Sequence, residues 1–112
     1  MSTTETGRKA EAAVADYLSA QGYKILEQNW RTRWCEIDIV AQRDKTIHFV
    51  EVKYRKTNSH GDGLAYITPK KLRQMAFAAE FWVAQHHWQG EYTLAAASVC
   101  GENFAVTDVI EL

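Results

Sequence analysis

Residues 36–53 read EIDIVAQRDKTIHFVEVK, and the alternation within them decides the fold to expect. Over 36–43, Glu36 and Asp38 interleave with Ile37, Ile39, Val40 and Ala41, and 46–54 is rich in β-branched and aromatic residues. Both patterns read as strands. Between them, Arg43-Asp44-Lys45-Thr46 is polar and short, as a hairpin loop requires. With Asp44 and Lys45 at the turn, Arg43 faces Thr46, Asp38 faces Glu51 and Glu36 faces Lys53. A four-residue loop over 43–46 keeps the same register.

That register places Glu36, Asp38, Glu51 and Lys53 on one side of the pair, because alternate strand positions share a face. Like charges directly opposite one another destabilise a strand pair. Two carboxylates ~5 Å apart repel by roughly 3 kcal/mol at an effective dielectric near 20. A hairpin selected only for stability would not set Asp38 against Glu51. A hard divalent cation, Mg²⁺ or Mn²⁺, held through oxygens between them is the expectation. Lys53, one pleat on, would then bring an ammonium beside it.

Working outward, 112 residues suffice for a single domain over 1–112. A hydrophobic fraction of 46% with 12% aromatics fits a globular chain, not a disordered one. No apolar run approaches the roughly 18 residues of a membrane span. The polar start MSTTETGRKAEAA lacks the apolar heart of a secretory signal, so a cytoplasmic location is expected. Cys35 and Cys100 have no metal-ligand spacing and read as free thiols.

The net charge of −1 is unevenly spread. Lys53, Arg55, Lys56, Lys70, Lys71 and Arg73 cluster against Asp62 alone, whereas Glu80 to Leu112 contains no Lys or Arg. Such polarity suits a protein with one phosphate-facing side, against the simpler reading of solvated surface charges. Arg31 and Arg33, interleaved with Trp30 and Trp34, extend the same reading: cations for phosphates and rings for bases. Trp30 is expected in the core, and Trp34 is open to either role.

A first helix is expected over Thr6–Ala20, stopped at Gly22, with Ala10, Val14, Tyr17, Leu18 and Gln21 facing inward. Tyr23 to Asn29 reads as the first strand. Residues 55–67, with Gly61-Asp62-Gly63, form a loop expected to lie over the acidic residues. Thr68-Pro69-Lys70-Lys71 starts a second helix reaching about His87, with Thr68 as cap. Its stripe Leu72, Met75, Ala76, Ala79, Val83 and His86 faces inward. A second stripe of Phe77, Ala78, Phe81 and Trp88 raises the expectation of a homodimer through this helix, unless the final hairpin covers it. His86-His87 is not a metal pair, since adjacent helical residues diverge by ~100°. Tyr92–Val99 and Phe104–Ile110 complete the sheet.

Gly7-Arg8-Lys9-Ala10-Glu11, Gly22-Tyr23-Lys24-Ile25-Leu26, Asn29-Trp30, Glu36-Ile37-Asp38 and Phe49-Val50-Glu51-Val52-Lys53 together resemble the YraN family of small bacterial endonuclease-like proteins. The pair Ile37-Asp38 followed by Glu51-Val52-Lys53 resembles the PD-(D/E)XK nuclease signature, with isoleucine in place of proline. The resemblance is strongest over residues 7–78 and extends to archaeal Holliday-junction resolvases. It implies a restriction-endonuclease-like α/β fold, a mixed sheet flanked by helices in the order α-β-β-β-α-β-β. It also implies a metal-dependent nuclease acting on DNA, in repair or recombination. Asp38, Glu51 and the Val52 carbonyl would be metal ligands, Lys53 would assist the attacking water, and Glu11 would be a further site carboxylate rather than a surface residue. Cys35 stands where the family more often has glycine. The alternative is a catalytically silent nucleic-acid-binding or protein-interaction module that has kept the fold.

Overall fold

The computed structural model describes residues 3–57 and 66–112. Its centre is the hairpin of β2 (Glu36–Arg43) and β3 (Thr46–Arg55). Ile39–Val50, Val40–Phe49, Ala41–His48, Gln42–Ile47 and Arg43–Thr46 pair as the turn chemistry requires. Asp44 takes the left-handed conformation at φ 56°, which Asp tolerates better than most residues.

Around the hairpin stand α1 (Thr3–Ala20), β1 (Lys24–Arg31), α2 (Pro69–His86), β4 (Glu91–Cys100) and β5 (Ala105–Glu111). The order is the expected α-β-β-β-α-β-β, and the five strands form one sheet in the sequence β1-β2-β3-β4-β5. All neighbours are antiparallel except β3 and β4, which run parallel from Thr46–Glu91 to Arg55–Cys100. A parallel neighbour needs a crossover, and α2 supplies it.

Two apolar clusters lie on opposite faces of the sheet. Ala10, Val14, Ala15 and Leu18 of α1 pack on Ile39, Ala41, Val50, Ala95, Ala97 and Val99. Ala78, Ala79 and Trp82 of α2 pack on Ile37, Val40, Ile47 and Phe49. Ile39, Val40, Ala41, Ile47, Phe49 and Val50 are at most 2% exposed, so both faces of the hairpin are buried and its register is fixed.

Several local expectations are corrected. Helix α1 starts at Thr3, and its buried stripe is rotated toward Ala15 and the half-buried Glu11, leaving Tyr17 and Gln21 exposed. Strand β1 slips register between Ile25 and Glu27. Ile25 therefore joins the α1-side core, while the next residue, Leu26, joins the α2 side. The Glu27 carboxylate accepts the Trp82 indole N–H. In α2 the buried face straddles the two expected stripes, taking Met75 and Ala79 from the first, Ala78 from the second and Trp82 from neither, and Leu72 is exposed. Phe81 leans on Trp30 and Trp34 at 6.0 Å from each, and Trp88 packs against the α2-side core. Of the expected dimer stripe, Phe77 alone is largely exposed. The β4–β5 hairpin does not cover it; Trp30 and Trp34 cover Phe81.

His86, expected on the inward stripe, is exposed. His86 stacks on Trp82 at 3.9 Å, and His87 is the left-handed cap of α2 at φ 55°. Cys35 and Cys100 are free thiols. The Gly61-Asp62-Gly63 loop lies outside the described residues.

Helix α1 ends in a paired return: Gly22 N–H donates to Ser19 O and Tyr23 N–H to Leu18 O, with Gly22 at φ 92°. A Cβ there meets no atom within 4 Å, so the cost of Gly22→Ala is conformational alone, about 1 kcal/mol or more. Gly7, inside α1 and equally uncrowded, has no such constraint. Gly7→Ala should stabilise by about 0.5–1 kcal/mol. Urea denaturation of the two variants should therefore shift in opposite directions.

Candidate acidic site and its basic wall

Strand β2 stays paired with β1 as far as Arg31–Glu36, but its ladder with β3 ends at Ile39–Val50. The expected backbone pairs Asp38–Glu51 and Glu36–Lys53 do not form. Instead Asp38 Oδ2 accepts the Val52 N–H at 2.8 Å. The strands fork there, and a side chain takes the place of a backbone acceptor.

The fork also breaks the expected common face. Ile37 lies in the α2-side core and Ile39 in the α1-side core, so strict alternation does not cross Asp38. Asp38 lines a cleft of about 500 Å³ with Arg8 and Glu11 of α1, Asn29, Arg31 and Glu36. Glu51 opens on the other side, into a groove of about 640 Å³ between α2 and the β1–β2 connection. Arg31 and Glu36, at the end of the β1–β2 pair, line both.

Though reached from two sides, the carboxylates act on one another. Burial raises the Asp38 carboxyl to about 7, with the Glu51 charge second; the Val52 N–H opposes, and Glu11 and Glu36 add to the rise. Glu11 is raised as well, by burial and then by Glu36 and Glu51, against Arg31 and Arg8. The Tyr66 phenol is pushed above its usual range by burial and by Glu51 and Asp38. Its hydroxyl lies 3.5 Å from the Glu51 carbonyl oxygen.

The cation against Glu51 is Lys71, whose Nζ lies 2.7 Å from Oε1. Thr68 caps α2, accepting the Lys71 N–H at 3.0 Å, so Lys71 is fixed as the third helical residue with its side chain aimed at β3. Lys53 is exposed, with Nζ 5.8 Å from the Tyr66 ring centre. Sequence reasoning placed Lys71 among phosphate contacts and did not pair it with Glu51. The capped start of α2, so soon after Glu51-Val52-Lys53, was the signal available.

Asp38, Glu51 and the Val52 carbonyl are hard oxygen donors, the chemistry that Mg²⁺ and Mn²⁺ prefer. Among the described residues no three His, Cys, Asp or Glu side chains converge on a metal position. Asp38 opens into the α1-side cleft and Glu51 into the α2-side groove, so the two carboxylates are reached from different sides of the sheet. Of the expected nucleic-acid residues, Arg31, Lys70, Lys71 and Arg73 line the Glu51 groove. Arg33 lies over the Trp34 ring at 5.2 Å. Arg55 and Lys56, at and beyond the end of β3, do not line it.

Fold and site define an α/β protein with a mixed five-stranded sheet between two helices and a carboxylate cluster where two strands part. The model described as "Uncharacterised protein family UPF0102" matches residues 10–112, and the chain belongs to that family. This is the YraN group that its motifs resemble. A UPF0102 protein of Cytophaga hutchinsonii is 35% identical over 106 residues, 95% of this chain and 94% of that protein. One of Rhodopseudomonas palustris is 49% identical over 82 residues, 72% of this chain and 61% of its own length. One of Vibrio parahaemolyticus is 39% identical over 84 residues, 75% and 69% of the two chains. Among the described residues no helix is long and apolar enough to cross a membrane.

The raised carboxyl has a measurable consequence. A folded-state value of about 7 against 3.8 means that the folded chain binds a proton that the unfolded chain has lost. Stability from Asp38 is full below about pH 4 and declines through about pH 7. Asp38→Asn should match the wild type near about pH 4 and exceed it by about 1–3 kcal/mol near about pH 8 in metal-free buffer. Urea titrations at both pH values test this; an equal effect at the two would contradict it.

Proposed function

We propose that this protein is a divalent-metal-dependent nuclease of the PD-(D/E)XK type that hydrolyses DNA phosphodiesters. The observation that carries the reading is the placing of Glu11 and Asp38 in one cleft and Glu51 in the groove behind it, with Arg31 and Glu36 lining both; burial first, and the neighbouring carboxylates after it, raise the Asp38 carboxyl to about 7. A fold keeps such mutual repulsion where a cation relieves it. The basic groove that opens on Glu51 supplies the counterpart for phosphate.

Asp38, Glu51 and the Val52 carbonyl would hold Mg²⁺ or Mn²⁺. When bound, such an ion supplies an acidified water and offsets charge on the phosphate. The chain's own residues do the rest. Lys53, beside the ligands and free of the Glu51 pair, orients the attacking water and stabilises developing negative charge. Lys71 screens Glu51, and Arg31, Lys70 and Arg73 steer the phosphate backbone. Glu11 orients water from the α1 side. Action on branched or damaged DNA in repair or recombination is the setting we infer. A silent module retaining the fold is the reading to separate from this one.

Lys53→Ala separates them: cleavage of plasmid and oligonucleotide DNA in Mg²⁺ or Mn²⁺ should disappear while metal binding, read by calorimetry, stays within about twofold. Wild type that binds DNA and metal but never cuts it would favour the silent module.

The same groove predicts salt dependence. Each phosphate contact adds about −0.9 to the slope of log K against log salt on duplex DNA. Lys70→Ala with Arg73→Ala should flatten that slope by up to about two units. Neutralising Glu102 and Glu111 at the far end should leave it unchanged.

A further inference from the structure

The groove beside Glu51 has a wall that phosphate steering does not use. Trp34 is 66% exposed and Phe77 51% exposed, both lining the groove. Neither ring is loose. Trp34 and Phe77 lean on Phe81 at 6.0 and 6.3 Å, and Phe81 leans on Trp30, which packs against the α2-side core. Exposed rings anchored in this way form a platform, and cations rim it. Lys70 and Arg73 form no ion pair among the described residues, and Arg33 covers part of the Trp34 ring.

We propose that this groove binds an unpaired nucleotide of DNA, its base against Trp34 and Phe77 and its phosphates on Arg31, Lys70 and Arg73. The inference rests on the nuclease reading and names its substrate class, DNA with a single-stranded segment. A duplex offers such rings nothing to stack on, because both faces of each base are already covered. An unpaired base has a free face, and stacking on an aromatic ring is tolerant of sequence. The volume of about 640 Å³ lies in the range that admits a small organic group. Glu51 is in the same groove, so a base seated there brings its phosphodiester to the Glu51 edge of the acidic site.

Charge argues against a second copy as the occupant. A two-fold interface repeats the same surface on both sides, and would gather Arg33, Lys70 and Arg73 of both copies into one interface. A polyanion complements them.

Fluorescence anisotropy in EDTA, where no cleavage occurs, tests the idea with four probes of equal length. They are single-stranded DNA, duplex DNA, an abasic single strand and single-stranded RNA. Single-stranded DNA should bind most tightly, and Trp34→Ala and Phe77→Ala should each weaken it about 5- to 100-fold. Binding of duplex and abasic strand should not change, which also shows that the variants are folded. Equal affinity for base-bearing and abasic strands, or no effect of either variant, would overturn the proposal. So would tighter binding of RNA, or a sedimentation dimer that Phe77→Ala converts to monomer. Cleavage of DNA without the single-strand preference sinks this proposal alone. The preference without cleavage in Mg²⁺ or Mn²⁺ sinks the nuclease reading and leaves the groove assigned.

Discussion

The bond from Val52 N–H to Asp38 Oδ2 is the hinge of the site. Where β2 and β3 cease to pair, Val52 would otherwise lose its acceptor, and a buried amide without one costs about 1–3 kcal/mol. Asp38 supplies that acceptor, and so is held in a half-buried place beside Glu51 where it would not choose to be charged. The bond lowers the carboxyl's pKa, while burial and neighbouring charges raise it further than the bond can offset. The conflict persists because residues 39–41 and 47–50 fix the hairpin from both faces, leaving Asp38 no room to relax.

Glu51 resolves the same conflict differently. Lys71 reaches it from α2 and serves as an internal cation. Lys71 thus compensates one carboxylate of the pair by charge, while burial and neighbouring charge raise the other toward its neutral form. An ion placed between them would have to compete with Lys71 for Glu51 and with the proton for Asp38.

The hairpin, its register from Ile39–Val50 to the turn and the order of elements were legible in the sequence because all three rest on local chemistry: a polar turn, β-branched runs and a capped helix start. What failed were the inferences that extended a period beyond the point where tertiary structure interrupts it. The alternation through Glu36 and Asp38 assumed an unbroken ladder, yet the strands fork at Ile39. The bulge after Ile25 did the same to β1. The α2 stripes were right only in part: the buried face takes Met75 and Ala79 from one, Ala78 from the other, and Trp82 from neither. The Lys71–Glu51 pair spans elements, and only the capped start of α2 after β3 pointed toward it.

The charged residues meet at one end of the sheet for a topological reason. β3 ends at Arg55 and runs in parallel with β4, so the crossover must begin at that end, and α2 starts there with Thr68 and Pro69. β2 is antiparallel to β3, which puts its start, Glu36 and Asp38, at the same end. β1 is antiparallel to β2 and therefore finishes there, at Arg31. Helix α1 lies across the opposite face with Glu11 turned toward Asp38. The carboxyl end of a parallel strand, next to a helix N-terminus, is where α/β sheets commonly receive ligands. One parallel pairing in an otherwise antiparallel sheet thus collects acids from α1, β2 and β3 and cations from α1, β1 and α2, with the Trp34–Phe81–Phe77 rings alongside.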